Sequence, residues 1–154
     1  MTLIDANALV LLIVGMVDEN LIGKHKRTSI YSKQDYRDLL LAVRDLHSLV
    51  ILPNVWTEVD NLLNRFSGNH RWSYITLMRS MLEQTTERYV ASVMGGKSNH
   101  FMSDGLTDAL LVELGKEKQC DFLITGDSAL SDIARANGIA IYDTVQRRNE
   151  NLRK

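Results

Sequence analysis

Short apolar runs alternate along this chain with segments of helical period, and that alternation restricts the fold more than any other feature. Thr2–Ile4, Leu49–Leu52, Phe122–Thr125 and Ile139–Tyr142 read as strands. Helical segments separate them. Strands joined through helices lie parallel, because a parallel pair needs a crossover connection, and the helices then cover the sheet faces. The expected class is therefore α/β, built on a parallel sheet over residues 1–143, with a polar tail over 144–154.

The helical segments carry their own signals. Ala8 to Val17 is apolar nearly all round, as a buried helix is, and Asn7 is its expected cap. Ser32 with Asp35 forms a capping-box pattern ahead of Tyr36, Leu39, Leu40, Val43 and Leu46 at helical spacing. Pro53 closes the second strand, and Asn54 opens a helix to about Phe66. Ser67–Asn69 reads as a turn, followed by a helix from about Ser73 to Thr86. Tyr89, Val90 and Val93 favour an edge strand over Arg88–Met94, and Gly95 to Asp104 reads as a polar loop. Helices follow over Leu106–Lys118 and Ser128–Ala136, the second ended by Gly138.

A length of 154 residues fits one domain. With 45% hydrophobic and 24% charged residues, the composition is that of a soluble globular protein. The net charge of -1 supplies no general field for a polyanion, so such a partner would need a local patch or a metal ion. Cys120 is the lone cysteine, which excludes an intrachain disulfide and suits a reducing compartment. The apolar run Ala8–Val17 falls short of the roughly 20 residues a bilayer requires, and no basic segment precedes it. The expectation is a cytoplasmic protein with no membrane contact.

Four acids stand out. Asp5 follows the first strand directly, and Asp127 follows Phe122–Thr125 after one glycine. Open parallel sheets bind ligands beyond the carboxyl ends of their strands, at the point where strand order reverses. Either aspartate could also cap the helix after it. Glu58 falls on the apolar stripe of Val55, Val59, Leu62, Leu63 and Phe66, where a carboxylate costs free energy unless paired or metal-bound. Asp108 shares a helix side with Leu111 and Gly115, opposite the charged Glu113, Lys116 and Glu117. It lies near the helix N-terminus, where the dipole favours negative charge. Ser103 and Asp104 read as caps of that helix. Crowded carboxylates raise one another's pKa, and a hard divalent cation such as Mg²⁺ or Mn²⁺ relieves the repulsion. A site of acids without a matching histidine pair or cysteines suits those ions better than zinc.

Four pieces carry a resemblance: Leu3-Ile4-Asp5-Ala6-Asn7, then Leu52 to Val59 around Glu58, then Gly105 to Leu110 around Asp108, then Phe122 to Asp127. In this order and spacing they resemble the PIN-domain nucleases, most closely the VapC-type toxins of bacterial toxin–antitoxin pairs. The resemblance implies a three-layer α/β/α sandwich with a four- to five-stranded parallel sheet. It implies Mg²⁺- or Mn²⁺-dependent cleavage of RNA, an antitoxin protein as partner, and a homodimer. It makes Asp5, Glu58, Asp108 and Asp127 the catalytic and metal-binding set, with Asn7 and Thr125 as polar supports. Ala6 stands where the family commonly carries a hydroxyl, and Tyr74–Asp104 is longer than the toxin branch leads one to expect.

The loop Leu21–Tyr31 contains Lys24, His25, Lys26 and Arg27. Its cations could grip an RNA backbone or be an ordinary solvated surface. Arg71, Trp72 and Tyr74 could add stacking or be core. The rival enzyme is a haloacid-dehalogenase-like phosphatase, with Asp5 as nucleophile and Gly126–Asp132 as its last acidic motif. That family requires a second aspartate where this chain has Asn7. A receiver-type phospho-acceptor, a PIN-like scaffold without catalysis, and a PIN nuclease of RNA processing or host defence are the remaining readings.

Overall fold

A computed structural model describes residues 1–154. Five strands form one parallel sheet: β1 (Thr2–Ile4), β2 (Leu49–Ile51), β3 (Thr86–Glu87), β4 (Phe122–Thr125) and β5 (Ile141–Asp143). Their order is β3-β2-β1-β4-β5. The central β1 pairs Thr2 with Leu49 on one side and with Phe122 on the other. From β1 the chain winds first toward β3, then returns to lay down β4 and β5. The carboxyl ends of β1 and β4 therefore flank the point where strand order reverses, which is where such sheets open a crevice.

Helix α1 (Ala6–Val17) packs against α2 (Lys33–Val43), α3 (Pro53–Leu63) and α4 (Gly68–Gln84). On the other layer α5 (Ser92–Gly96), α6 (Phe101–Asp104) and α8 (Ser128–Ala136) pack against α7 (Leu106–Gly115). The result is the expected α/β/α sandwich. Its core runs through β1, α1, β2 and β4, whose apolar side chains are almost completely buried. No helix is long and apolar enough to cross a membrane.

Local differences from the expectation have identifiable causes. Asp5, not Asn7, caps α1: its side chain accepts from the Ala8 backbone N–H, and Asn7 lies exposed in the first turn. The Ser32–Asp35 capping box is present on α2. Helix α4 begins at Gly68, earlier than Ser73, because residues 67–73 are all exposed and offer no apolar period to read. Arg88–Met94 is not a strand. Thr86 and Glu87 pair with β2, the ladder ends with the Arg88 N–H donating to the Ile51 carbonyl at 3.1 Å, and Ser92–Gly96 is helical. Of the residues that favour β structure there, Tyr89 and Val93 are 79% and 57% exposed and Val90 packs against the core, but none of them pairs with a strand. Gly95 lets α5 sit tight on α7, since a β-carbon there would lie 2.9 Å from a Leu106 methyl.

The polar segment 144–154 is helical over most of its length. Helix α9 (Thr144–Leu152) is capped by Asp143 and docks on α2. Arg147 Nε donates to Asp38 at 2.8 Å, and Asn151 Nδ2 donates to Asp35 and Asp38 at 2.8 and 2.9 Å. Burial alone would raise the Asp38 carboxyl, but hydrogen bonds from Asn151, Gln34 and Arg147 hold it below its usual value.

Candidate active site

Asp5 leaves β1 just as α1 begins, a position fixed by the backbone of the central strand. It is 5% exposed. The Ala8 N–H donates to its Oδ1 at 2.7 Å, and the fully buried Thr125 hydroxyl donates to its Oδ2. Thr125 ends β4, and its hydroxyl oxygen also accepts from the Asp127 N–H at 3.0 Å. One threonine thus ties the two strand-end acids together. Asp127 is exposed and caps α8, accepting from the Leu130 N–H at 3.0 Å.

Asp108 lies in the first turn of α7, half-buried. Gly105 precedes that helix with φ 84° and ψ 174°, a conformation open to glycine and strained for other residues. It lets the chain turn sharply between Asp104 and Asp108, and both then face the same space. Ser103 and Asp104 do not cap α7. Ser103 donates to the Asp104 carboxylate, and Asp104 stands as a fifth acid at the site.

Glu58 departs from its expected setting. It is exposed, not on the buried stripe. Trp56 is buried beside Val55, Val59 and Leu63. With about 100° of rotation per residue, that tryptophan turns the buried face of α3 away from position 58. Glu58 reaches the site from the rim.

Asp5, Asn7, Glu58, Asp104, Asp108 and Asp127 line one cleft of about 240 Å³, whose only apolar lining residues are Ala6 and Leu106. The electrostatics reflect the crowding. Burial pushes the Asp5 carboxyl up to about 6 against the hydrogen bonds from Thr125 and Ala8, and the charges of Asp127 and Glu58 add to the rise. Burial, then the charges of Asp127, Asp5, Glu58 and Asp104, push Asp108 up to about 7. No group of three or more His, Cys, Asp or Glu side chains is gathered closely enough to hold a metal ion as placed. The chemistry of the donor set nevertheless fits a hard cation: carboxylate oxygens that repel one another in a common, polar, partly desolvated cleft.

The cationic loop divides. Lys24, Lys26 and Arg27 are all exposed, but only Arg27 lines a depression beside the acids, with Asn7, Tyr31 and Asp127. His25 is occupied, its ring tilted at 46° against Phe66 with centroids 5.5 Å apart and its Nδ1 accepting from the Arg27 N–H at 3.2 Å. Tyr74 is buried and donates to Asp60 at 2.7 Å, so it is an anchor of α4 and no stacking platform. Trp72 is exposed on α4 and does not line the acid cleft.

Two residues at the site carry no signal in the spacing. The hydroxyls of Tyr31 and Thr144 lie 2.9 Å apart, and both press on Gly126. A β-carbon at Gly126 would sit 2.6 Å from the Thr144 oxygen and 2.8 Å from the Tyr31 oxygen. They clamp the loop that carries Asp127. Gly126 between a strand end and an acid is the one mark of that close approach in the sequence.

No protein-family model, no curated protein and no solved structure matches this chain.

Proposed function

We propose that this protein is a metal-dependent endoribonuclease that hydrolyses RNA phosphodiesters in the acidic cleft. One observation carries the reading. Asp5, Glu58, Asp108 and Asp127, from four separate elements, line one polar cleft at the carboxyl edge of a parallel sheet, where Asp5 and Asp108 are raised to about 6 and about 7. Burial first, and repulsion after it, penalise these charges, and a divalent cation would offset both.

Asp5, with Asp108 and Asp127, would hold Mg²⁺ or Mn²⁺, and Glu58 would hold metal or orient the attacking water. When bound, the ion supplies polarisation of the phosphate and a lowered pKa for water. The chain's own residues do the rest. Thr125 and the Ala8 N–H fix both oxygens of Asp5, so that carboxylate cannot rotate. The Tyr31–Thr144 pair holds the Gly126 loop and with it Asp127. Asn7, exposed at the cleft wall, offers an amide to a phosphate oxygen. The resemblance to VapC-type toxins extends the proposal to an antitoxin that inserts a basic side chain into this cleft, and to a homodimer.

The test is cleavage of total cellular RNA by the purified chain with Mg²⁺, Mn²⁺ or EDTA, beside Asp5→Asn, with p-nitrophenyl phosphate as a second substrate. Discrete fragments that need both the metal and Asp5 support the ribonuclease. Turnover of the small phosphoester without RNA cleavage would replace it with the phosphatase.

A further inference from the structure

The acidic cleft is not isolated. It shares Asn7 and Asp127 with a depression of about 200 Å³ that Arg27, Ile30 and Tyr31 also line. On the opposite side it shares Glu58 and Thr107 with another of about 440 Å³, which Asn54, Asn61 and Tyr89 also line. The acid cleft thus borders both depressions, divided from each only by these shared side chains.

The two flanks differ in chemistry. On the first, no carboxylate lies within ion-pair distance of Arg27, and the Tyr31 hydroxyl is committed to Thr144. What this flank offers a ligand is one free guanidinium. On the second, Tyr89 is 79% exposed between β3 and α5, beside the amides of Asn54 and Asn61. An aromatic ring left in water beside amides is suited to a flat, polar-edged partner.

We propose that these depressions form one groove for single-stranded RNA, in which Arg27 holds a backbone phosphate on one side of the acids and Tyr89 stacks on a base on the other. The proposal rests on the ribonuclease reading and names the residues that position its substrate. With a net charge of -1, the chain has no general attraction for RNA, so affinity must come from local contacts. A guanidinium pairs with phosphate oxygens whatever the sequence. An aromatic platform needs the face of a base, and a duplex keeps that face inside its own stack.

The experiment measures fluorescence anisotropy of a labelled single-stranded oligoribonucleotide and its duplex, in Mg²⁺, over a salt series. The parent is the full chain carrying Asp5→Asn, so that binding is read without cleavage. Tyr89→Ala is expected to weaken single-strand binding about 5- to 150-fold with an unchanged salt slope. Arg27→Gln is expected to lower the salt slope by about one unit. Trp72→Ala, which removes an aromatic 74% exposed but outside the groove, should change neither. Binding that survives both groove substitutions unchanged overturns the groove and leaves the ribonuclease reading standing. Equal affinity for duplex, insensitive to Tyr89→Ala, overturns the single-strand assignment. If the parent binds no RNA the groove falls, and if the wild-type chain also cleaves none the ribonuclease reading falls with it.

Discussion

Replacing Asp5 with asparagine tests the electrostatic argument and the functional one in a single protein. The Asp5 carboxyl titrates at about 6 in the fold, against 3.8 when unperturbed. A group whose pKa is raised by folding binds its proton more tightly in the native state. Its contribution to stability is therefore intact in acid and is lost as pH rises from about 4 through about 6. At neutral pH the ionised Asp5 costs the fold about 3 kcal/mol. Asparagine removes that cost. Its oxygen can still accept from the Ala8 N–H, but its amide faces the Thr125 hydroxyl, which must turn round. Setting that loss at about 1 kcal/mol leaves a gain of about 1–2 kcal/mol. Relief of Asp108, which Asp5 also raises, adds to it.

For a domain of this length, each kcal/mol moves Tm by about 2–4 °C. In EDTA near pH 7.5 the Asp5→Asn protein should therefore melt about 2–8 °C above the wild type. Near pH 4, where the wild-type carboxyl is protonated in the fold, the difference should vanish or change sign. RNA cleavage should be abolished at every pH. A variant less stable than wild type near pH 7.5, or a Tm difference that does not change with pH, would refute the claim that a costly buried charge sits here.

The remaining expectations use the same contacts. Mg²⁺ should raise the Tm of the wild-type chain, and the rise should grow between about pH 5 and pH 8, because Asp5 and Asp108 must lose protons to bind it; thermal melts at matched ionic strength check this, and an increment that does not vary with pH counts against metal on these acids. Gly126→Ala forces a β-carbon against the Thr144 and Tyr31 hydroxyls, so it should cost about 1–3 kcal/mol in urea unfolding and lower cleavage at least tenfold. Asn151→Ala removes two hydrogen bonds to the buried Asp35 and Asp38 and should cost about 1–3 kcal/mol by urea titration, while cleavage per folded molecule stays unchanged.

What the sequence disclosed follows from burial. β1, β2 and β4 are covered on both faces, so they are written as apolar runs, broken only by Thr2 and Thr125 at their ends, and are found within a residue of their true ends. β3 is two exposed residues and leaves no pattern, which is why the β-favouring side chains after it misled. Asp5 and Asp127 were readable because the residue after a parallel strand has a fixed place, and Asp108 because helical phase sets its direction. Glu58 reached the cleft for a reason other than the one its spacing offered, once Trp56 rotated α3. Tyr31 and Thr144 could not be read at all. They meet across 113 residues of chain, and only the fold brings their hydroxyls to Gly126.

The acids do not bear on function equally, and their energies rank them. Asp5 and Asp127 both cap helices, so a structural role is satisfied at each. Capping alone, however, is served about as well by asparagine or serine, which bring no charge. Asp127 is exposed, and its charge weighs on its neighbours, adding to the rise at Asp5 and Asp108. At Asp5 the same cap is made with a carboxylate that is 5% exposed and pushed up to about 6. Asp108 is no cap, yet it is held half-buried among four other acids and pushed up to about 7. These two charges oppose folding, and nothing else in the fold requires them. Under the proposed function, a divalent cation that offset both the lost hydration and the repulsion would account for both.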